Sequence, residues 1–385
     1  MPRWLYYSLL LTIVAPVLSL LPIAKPPMVI FVFTVLGLIP LAAFIGRATE
    51  DLEHYVGPVV GGLLNATFGN APELIISIFA LQAGLIEVVK ASITGSVISN
   101  ALLVLGGSLA IGGWRWGEQY FDSRDAGQYS AMMVMAVAGL LIPYAASIAP
   151  ANRARSEPIS IGISIILLLV YVMYLALTVF HVRSARRNPT RHKKPATAPL
   201  VPQREAGEEE EREEVAAVTG GVDPRELGEK TFPAPWLSIL ILFGTTLGTA
   251  WNSELLVGTI EPVGHQLGWT PIFIGLVIIP IVGNAAEHSS SLVVAYKDRV
   301  DLSMAIAAGS SIQVATFVAP VLVLVSLFFK QHLDLIFQPL ELVLLGLATI
   351  LFTFVSLDGK SSWLEGMQLL AVYVMACVVF FLIPG

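Results

Sequence analysis

Stretches of about 20 apolar residues recur along the whole of this 385-residue chain, and each is long enough to cross a bilayer as a helix. Eleven can be drawn, at about residues 5–22, 28–49, 57–84, 88–112, 128–149, 158–182, 235–259, 269–296, 303–329, 337–357 and 363–383. Such a chain has few folds open to it, because backbone polar groups in hydrocarbon must be satisfied within the spanning structure. Charged residues make up 13%, about half of the roughly 25% found in soluble domains. That is too little charge to clothe a water-facing surface. A soluble enzyme, a disordered chain and a nucleic-acid-binding surface are excluded for the bulk of the protein. The expected class is an all-α polytopic membrane protein of about 11 transmembrane helices. The first run reads as a retained helix rather than a cleaved leader, since only Arg3 precedes it and no small-residue cleavage site follows. Cys377 is the only cysteine, so neither an intrachain disulfide nor a cysteine metal cluster is available.

Loop charge sets the expected orientation. Arg183, Arg186, Arg187, Arg191, Lys193 and Lys194 follow the sixth run and place that end in the cytoplasm. Alternation then puts Arg47, Arg115, Arg124, Lys297, Arg299 and Lys360 on the same side, and the N-terminus with them. The long hydrophilic stretch, residues 183–232, is a cytoplasmic linker with a basic half and an acidic half. Its run EAGEEEEREEV carries Glu208, Glu209, Glu210, Glu211, Glu213 and Glu214, a set suited to gathering cations near the membrane face. The expected divisions are an N-terminal helix (1–27), a first half (28–182), the linker (183–232) and a second half (233–385).

The two halves are related. GNAPE at 69–73 recurs as GNAAE at 283–287, an offset of 214 residues. At that offset, without a gap, Ser77 pairs with Ser291, Gly95 with Gly309, Ser96 with Ser310 and Ala101 with Ala315. Upstream, Glu50 pairs with Glu254 at an offset of 204. Each half holds five runs, and an odd number of crossings inverts the second copy. The expected fold is one N-terminal helix plus two inverted five-helix repeats, which bring equivalent segments to one midplane site from opposite sides.

Ionisable groups within spans are costly and point to function. Glu73 and Glu287 sit well inside their runs at equivalent positions, and Glu254 lies inside the seventh run. Glu50 and Asp51 fall near the end of the second, and Glu261 past the end of the seventh. With no lysine or arginine deep in a span, these carboxylates must be protonated or hold a mobile cation. Pro72 is expected to break the helix before Glu73 and to free backbone carbonyls. Carbonyls of Gly69, Asn70, Ala71, Gly283, Asn284 and Ala285, the two asparagine amides and the two glutamates form a hard-oxygen donor set. It suits Ca²⁺, which takes roughly 6–8 oxygens in flexible geometry. The cation is cargo, and no resident cofactor is expected. Two neighbouring carboxylates can exchange one divalent cation for about two protons without ATP, and no GxxxxGK[ST] sequence is present. His288 could carry a proton or orient Glu287. Ser99, Asn100 and Gln313 could line the pathway, and Gly95 and Gly309 read as points of close helix contact.

The segments TEDLEHYVGPVVGGLLNATFGNAPELIIS from Thr49, FIGLVIIPIVGNAAEH up to His288, and DLSMAIAAGSSIQVATFVAP from Asp301 resemble the two alpha-repeat signatures of the Ca²⁺/H⁺ antiporter (cation/proton exchanger) family, part of the wider cation/Ca²⁺ exchanger superfamily. The resemblance extends over residues 28–383 and has a counterpart for the acidic stretch. It implies that Glu73 and Glu287 are the Ca²⁺ and H⁺ ligands and that Glu50, Glu254 and His288 are cavity or proton-path groups. It also implies Ca²⁺, H⁺ and the lipid bilayer as partners, in the plasma membrane of a prokaryote or the vacuolar membrane of a eukaryote. A homo-oligomer is compatible with the sequence. A Na⁺/Ca²⁺ exchanger of the same superfamily is the alternative, and the Asn-Ala of both motifs beside His288 favours protons. An intramembrane enzyme would need a nucleophile and base or an HExxH cluster, and neither is present.

Overall fold

A computed structural model of the chain describes residues 3–21, 26–56, 58–149, 155–187 and 234–382. The acidic run from Glu208 to Glu214 therefore lies outside the described residues. Helix dominates, as hydrocarbon requires. In chain order the helices are α1 (Arg3–Leu20), α2 (Pro27–Val56), α3 (Pro58–Phe68), α4 (Ala71–Gln82), α5 (Ile86–Trp116), α6 (Ser123–Ser147) and α7 (Ser156–Arg187). After the linker come α8 (Pro235–Leu267), α9 (Pro271–Gly283), α10 (Ala285–Tyr296), α11 (Val300–Ser326), α12 (Pro339–Val355) and α13 (Trp363–Leu382). Among the described residues, six helices are long and apolar enough to cross a membrane, or seven crossings if the bent pair α9–α10 counts as one.

Two helices form the centre. The apolar windows of α5 and α11 are 89% and 78% buried, against 22% to 50% for α2, α6, α7 and α13. Both central helices are rich in Gly, Ala and Ser, which lets neighbouring backbones approach closely. A Cβ at Gly95 of α5 would run into the backbone of Leu276 in α9, so the glycine expected to permit close contact does so. Short π-helical turns fall in both central helices, Ser99–Val104 in α5 and Val314–Val318 in α11, and a third, Ile274–Ile278, lies in α9. Such turns insert a residue and re-aim the side chains beyond them.

The long helices α2 and α8 pack side by side over much of their length, with α1 against them. Their 30 and 33 residues span about 45–50 Å at 1.5 Å per residue, more than the roughly 30 Å of hydrocarbon. Both continue past their apolar runs, which puts Glu50, Asp51 and Glu261 within helix rather than in loops. The end of α8 is set by Gly268, whose φ of 68° is the left-handed C-terminal stop. The only described strands, β1 (Gln119–Tyr120) and β2 (Lys360–Ser361), pair antiparallel with Gln119 opposite Ser361. They tie the α5–α6 turn to the α12–α13 turn.

Candidate functional site

Both GNAxE motifs sit at a break between two helices. Asn70 ends α3 and caps α4 with φ −95° and ψ 13°. Asn284 ends α9 and caps α10 with φ −89° and ψ 21°. The two breaks have almost the same backbone, and α9 and α10 meet at a 60° bend. The first regular bond of each new helix is also equivalent: Leu74 N donates to Asn70 O at 3.0 Å, and His288 N to Asn284 O at 2.9 Å. Pro72 fits the break expected from the sequence, since it has no N–H for the carbonyl of Phe68, where α3 ends. It occupies the first turn of α4, where a proline costs no hydrogen bond, and the second break forms with Ala286 in its place. At the second break Asn284 Nδ2 donates to Pro280 O of the helix that ends there, at 3.1 Å.

Glu73 and Glu287 occupy the third position of their new helices, in the first turn, where a negative charge is favoured by the helix dipole. Glu73 reaches across to the other motif: a Cβ built on Gly283 would lie 2.8 Å from its Oε1. Oε2 of Glu73, Oε2 of Glu287 and Nε2 of His288 are buried without a hydrogen-bond partner among the described residues. Unsatisfied buried acceptors are costly, and a cation or proton removes that cost.

A layer of buried amides and hydroxyls cross-links the breaks. Asn70 Nδ2 donates to Gln313 Oε1 at 2.6 Å, joining the first motif to α11. Asn284 Nδ2 donates to Ser96 Oγ at 3.1 Å and to Pro280 O at 3.1 Å. Its Oδ1 accepts from Asn100 Nδ2 at 3.3 Å and from Ser310 Oγ at 3.2 Å, and Asn100 Nδ2 also reaches Ser310 Oγ at 2.8 Å. Each motif is thereby held by a central helix from the other half of the chain. Among the described residues no three His, Cys, Asp or Glu side chains converge. A cation between the carboxylates would therefore draw its remaining donors from amides, hydroxyls and the carbonyls freed at the breaks.

The sodium/calcium exchanger protein family matches residues 26–180 and 237–382, which include both motifs. The chain belongs to this family. A Ca²⁺/H⁺ antiporter of Aphanothece halophytica is 41% identical over 357 residues, 92% of this chain and 90% of the relative. The Ca²⁺/H⁺ antiporter ChaA of Bacillus subtilis (strain 168) is 41% identical over 359 residues, 93% of each. Among solved structures, the crystal structure of selenium-substituted Ca²⁺/H⁺ antiporter protein YfkE is similar with a TM-score of 0.76 and 36% identity, each chain covered to 98%. As a member of this family with several helices long enough to span, the chain is a multi-pass membrane protein.

The remaining expected residues of this exchanger-family chain are distributed unevenly. Asn100 and Gln313 join the central layer, and His288 lies beside Glu287. Ser99 does not join; its hydroxyl donates back to Ser96 O at 3.2 Å. Glu50 and Asp51 have a fixed cation after all. Arg47, on the same helix, meets Glu50 at 3.2 Å and Asp51 at 2.9 Å, because spacings of three and four residues share one helix face. Glu254 is exposed on α8, and Glu261 likewise. Lys90, in the second turn of α5, is buried, neutralised by Asp334 at 2.6 Å and donating to Ile336 O at 2.8 Å. Sequence reading missed Ser96 and Ser310 as ligands of Asn284. Their shared offset was the available signal, and the glycine beside each drew attention to packing instead.

Proposed function

We propose that this chain is a Ca²⁺/H⁺ antiporter, exchanging Ca²⁺ for protons by alternating access at a site between Glu73 and Glu287. The observation that carries the reading is that Glu73 and Glu287, each with a buried oxygen that lacks a partner, stand at two matching helix breaks, with Glu73 reaching Gly283 of the other motif. Two negative charges there are balanced equally by one Ca²⁺ or by two protons, so competition alone couples the two fluxes. The carbonyls of Gly69, Asn70, Ala71, Gly283, Asn284 and Ala285 and the amide oxygens supply further hard donors for Ca²⁺. The central layer holds both breaks in register while outer helices move. Protons rather than Na⁺ as the counter-ion accord with the names of the relatives that share 41% of their residues with the chain. The chemistry is transport, with no bond made or broken beyond proton transfer.

The proposed layout is one N-terminal helix, two inverted five-helix repeats over 28–182 and 233–385, and the cytoplasmic linker 183–232. The break pairs α3–α4 and α9–α10 are then equivalent crossings entered from opposite sides. His288 serves proton transfer at Glu287, while Glu50 and Glu254 line the approach. The linker glutamates concentrate Ca²⁺ at the cytoplasmic face, where loop charge also places the N-terminus. In a bacterium the membrane is the plasma membrane, and in a eukaryote the vacuolar one. Uptake of ⁴⁵Ca²⁺ into reconstituted vesicles, driven by a pH gradient, tests the assignment. Uptake that needs a Na⁺ gradient and ignores pH would overturn it.

A further inference from the structure

Serine hydroxyls are buried one helical turn beyond each glutamate, and they lie in chains. In the second half, Ser291 Oγ is 2.6 Å from Ser303 Oγ and 3.0 Å from Ser108 Oγ. All three residues are 0% exposed. In the first half, Ser77 Oγ is 3.4 Å from Ser92 Oγ, and both are buried. Ser77 and Ser291 are equivalent by the 214-residue offset, and each follows its glutamate by four residues. Helical side chains lean toward the helix N-terminus, so each serine leans over the turn that carries the carboxylate, with Cβ atoms about 5–6 Å apart.

Position along α5 shows how the two chains stand to the central layer. Ser92 is eight residues before Asn100 and Ser108 is eight residues after it. At 1.5 Å per residue the hydroxyls lie about 12 Å to either side of the amides. Ser303 is in the first turn of α11, so the Ser108–Ser291–Ser303 chain extends from one turn beyond Glu287 to the end of that helix.

We propose that these serines are proton relays, Ser291, Ser303 and Ser108 serving Glu287 from one side of the membrane and Ser77 with Ser92 serving Glu73 from the other. The inference rests on the antiport reading. A hydroxyl is both donor and acceptor. It takes a proton on a lone pair from one neighbour and releases its own to the next, so each hop leaves the chain chemically unchanged. A carboxamide lacks this symmetry, since passing a proton on leaves it as the imidic acid. In the central layer the hydroxyls of Ser96 and Ser310 bond to the amides of Asn284 and Asn100, so a proton crossing it must pass through a carboxamide, and the layer insulates one relay from the other. Protons can reach each carboxylate from its own side without a continuous leak, and they need not share the hydrated route of Ca²⁺.

The test uses the full chain in vesicles. Unmodified protein must first take up Ca²⁺ against a pH gradient; if it does not, the antiport reading fails and the relay with it. Given that uptake, Ser291→Ala and Ser303→Ala should each slow exchange by about a hundredfold, the lower end of the range for removing a positioned proton-transfer group. Equilibrium Ca²⁺ binding at fixed pH should stay within about twofold of the parent, and the solvent deuterium isotope effect on the rate should rise. Ser303→Thr, which keeps the hydroxyl, should recover most of the rate. Ser77→Ala should give the same pattern from the opposite side. Parental rates in Ser291→Ala and Ser303→Ala would overturn the proposal. So would a slowed rate accompanied by an equal loss of Ca²⁺ binding, which marks a packing role, or a Ser303→Thr as slow as the alanine variant.

Discussion

The Glu73 carboxylate rests on Gly283, the first residue of the opposite GNAAE motif: a Cβ there would stand 2.8 Å from Oε1 and 3.0 Å from the carboxyl carbon. A glycine in one motif thus makes room for the carboxylate of the other. Gly283→Ala should push Glu73 out of line with Glu287. Overpacking of this kind costs about 1–3 kcal/mol, so the half-saturating Ca²⁺ concentration should rise by about tenfold. Titration of ⁴⁵Ca²⁺ uptake checks it, and an unchanged half-saturation would show that Glu73 does not act from this position.

Glu73→Gln and Glu287→Gln should each abolish exchange and leave the protein folded. Glutamine keeps the length and the hydrogen bonding of each side chain but can neither balance Ca²⁺ nor exchange a proton. Transport and circular dichroism on the same preparations separate the two outcomes. Near-parental exchange by either variant would remove the two-carboxylate site.

Protons and Ca²⁺ should compete. An empty site would leave two mutually repelling carboxylates in a dry interior, at a cost of several kcal/mol per unpaired ion, so one cargo must fill it before access switches. Acidifying the Ca²⁺ side should raise the apparent KM with little change in the maximal rate at saturating Ca²⁺. A maximal rate that falls at constant KM would place the inhibitory protonation elsewhere, with His288 and Glu254 the next groups to vary.

Lys90→Met should destabilise the protein by about 1–2 kcal/mol, less than for a fully buried pair because the Asp334 side chain keeps 30% of its exposure. The double change Lys90→Met with Asp334→Leu should recover part of that loss, since it no longer strands a carboxylate. Melting temperatures of the three variants and the parent complete the cycle. Additive losses would show that the 2.6 Å contact contributes little.

The sequence alone determined the membrane class of the protein and its exchanger kinship, and it singled out Glu73 and Glu287 as the groups to explain. Apolar run length is dictated by bilayer thickness, and charge is too expensive in hydrocarbon for Glu73 and Glu287 to be there without a purpose. Their matched asparagines were legible for the same reason. The tertiary structure decided which polar groups meet. Repeat offset aligns residues along a helix axis but says nothing of rotation about it. The π-turn of α5 begins at Ser99 and includes Asn100, whereas that of α11 begins after Gln313. The amide opposite each asparagine therefore comes from Asn100 and Gln313, which are one position apart in the alignment, while Ser99, the aligned partner of Gln313, turns back to its own helix. Rotation also leaves Glu254 exposed on α8. It turns Glu50 toward Arg47 and buries Lys90 against Asp334. The Arg47–Glu50 pair follows from a three-residue spacing on one helix, whereas the amide pairs and Lys90–Asp334 depend on through-space neighbours that no local pattern encodes.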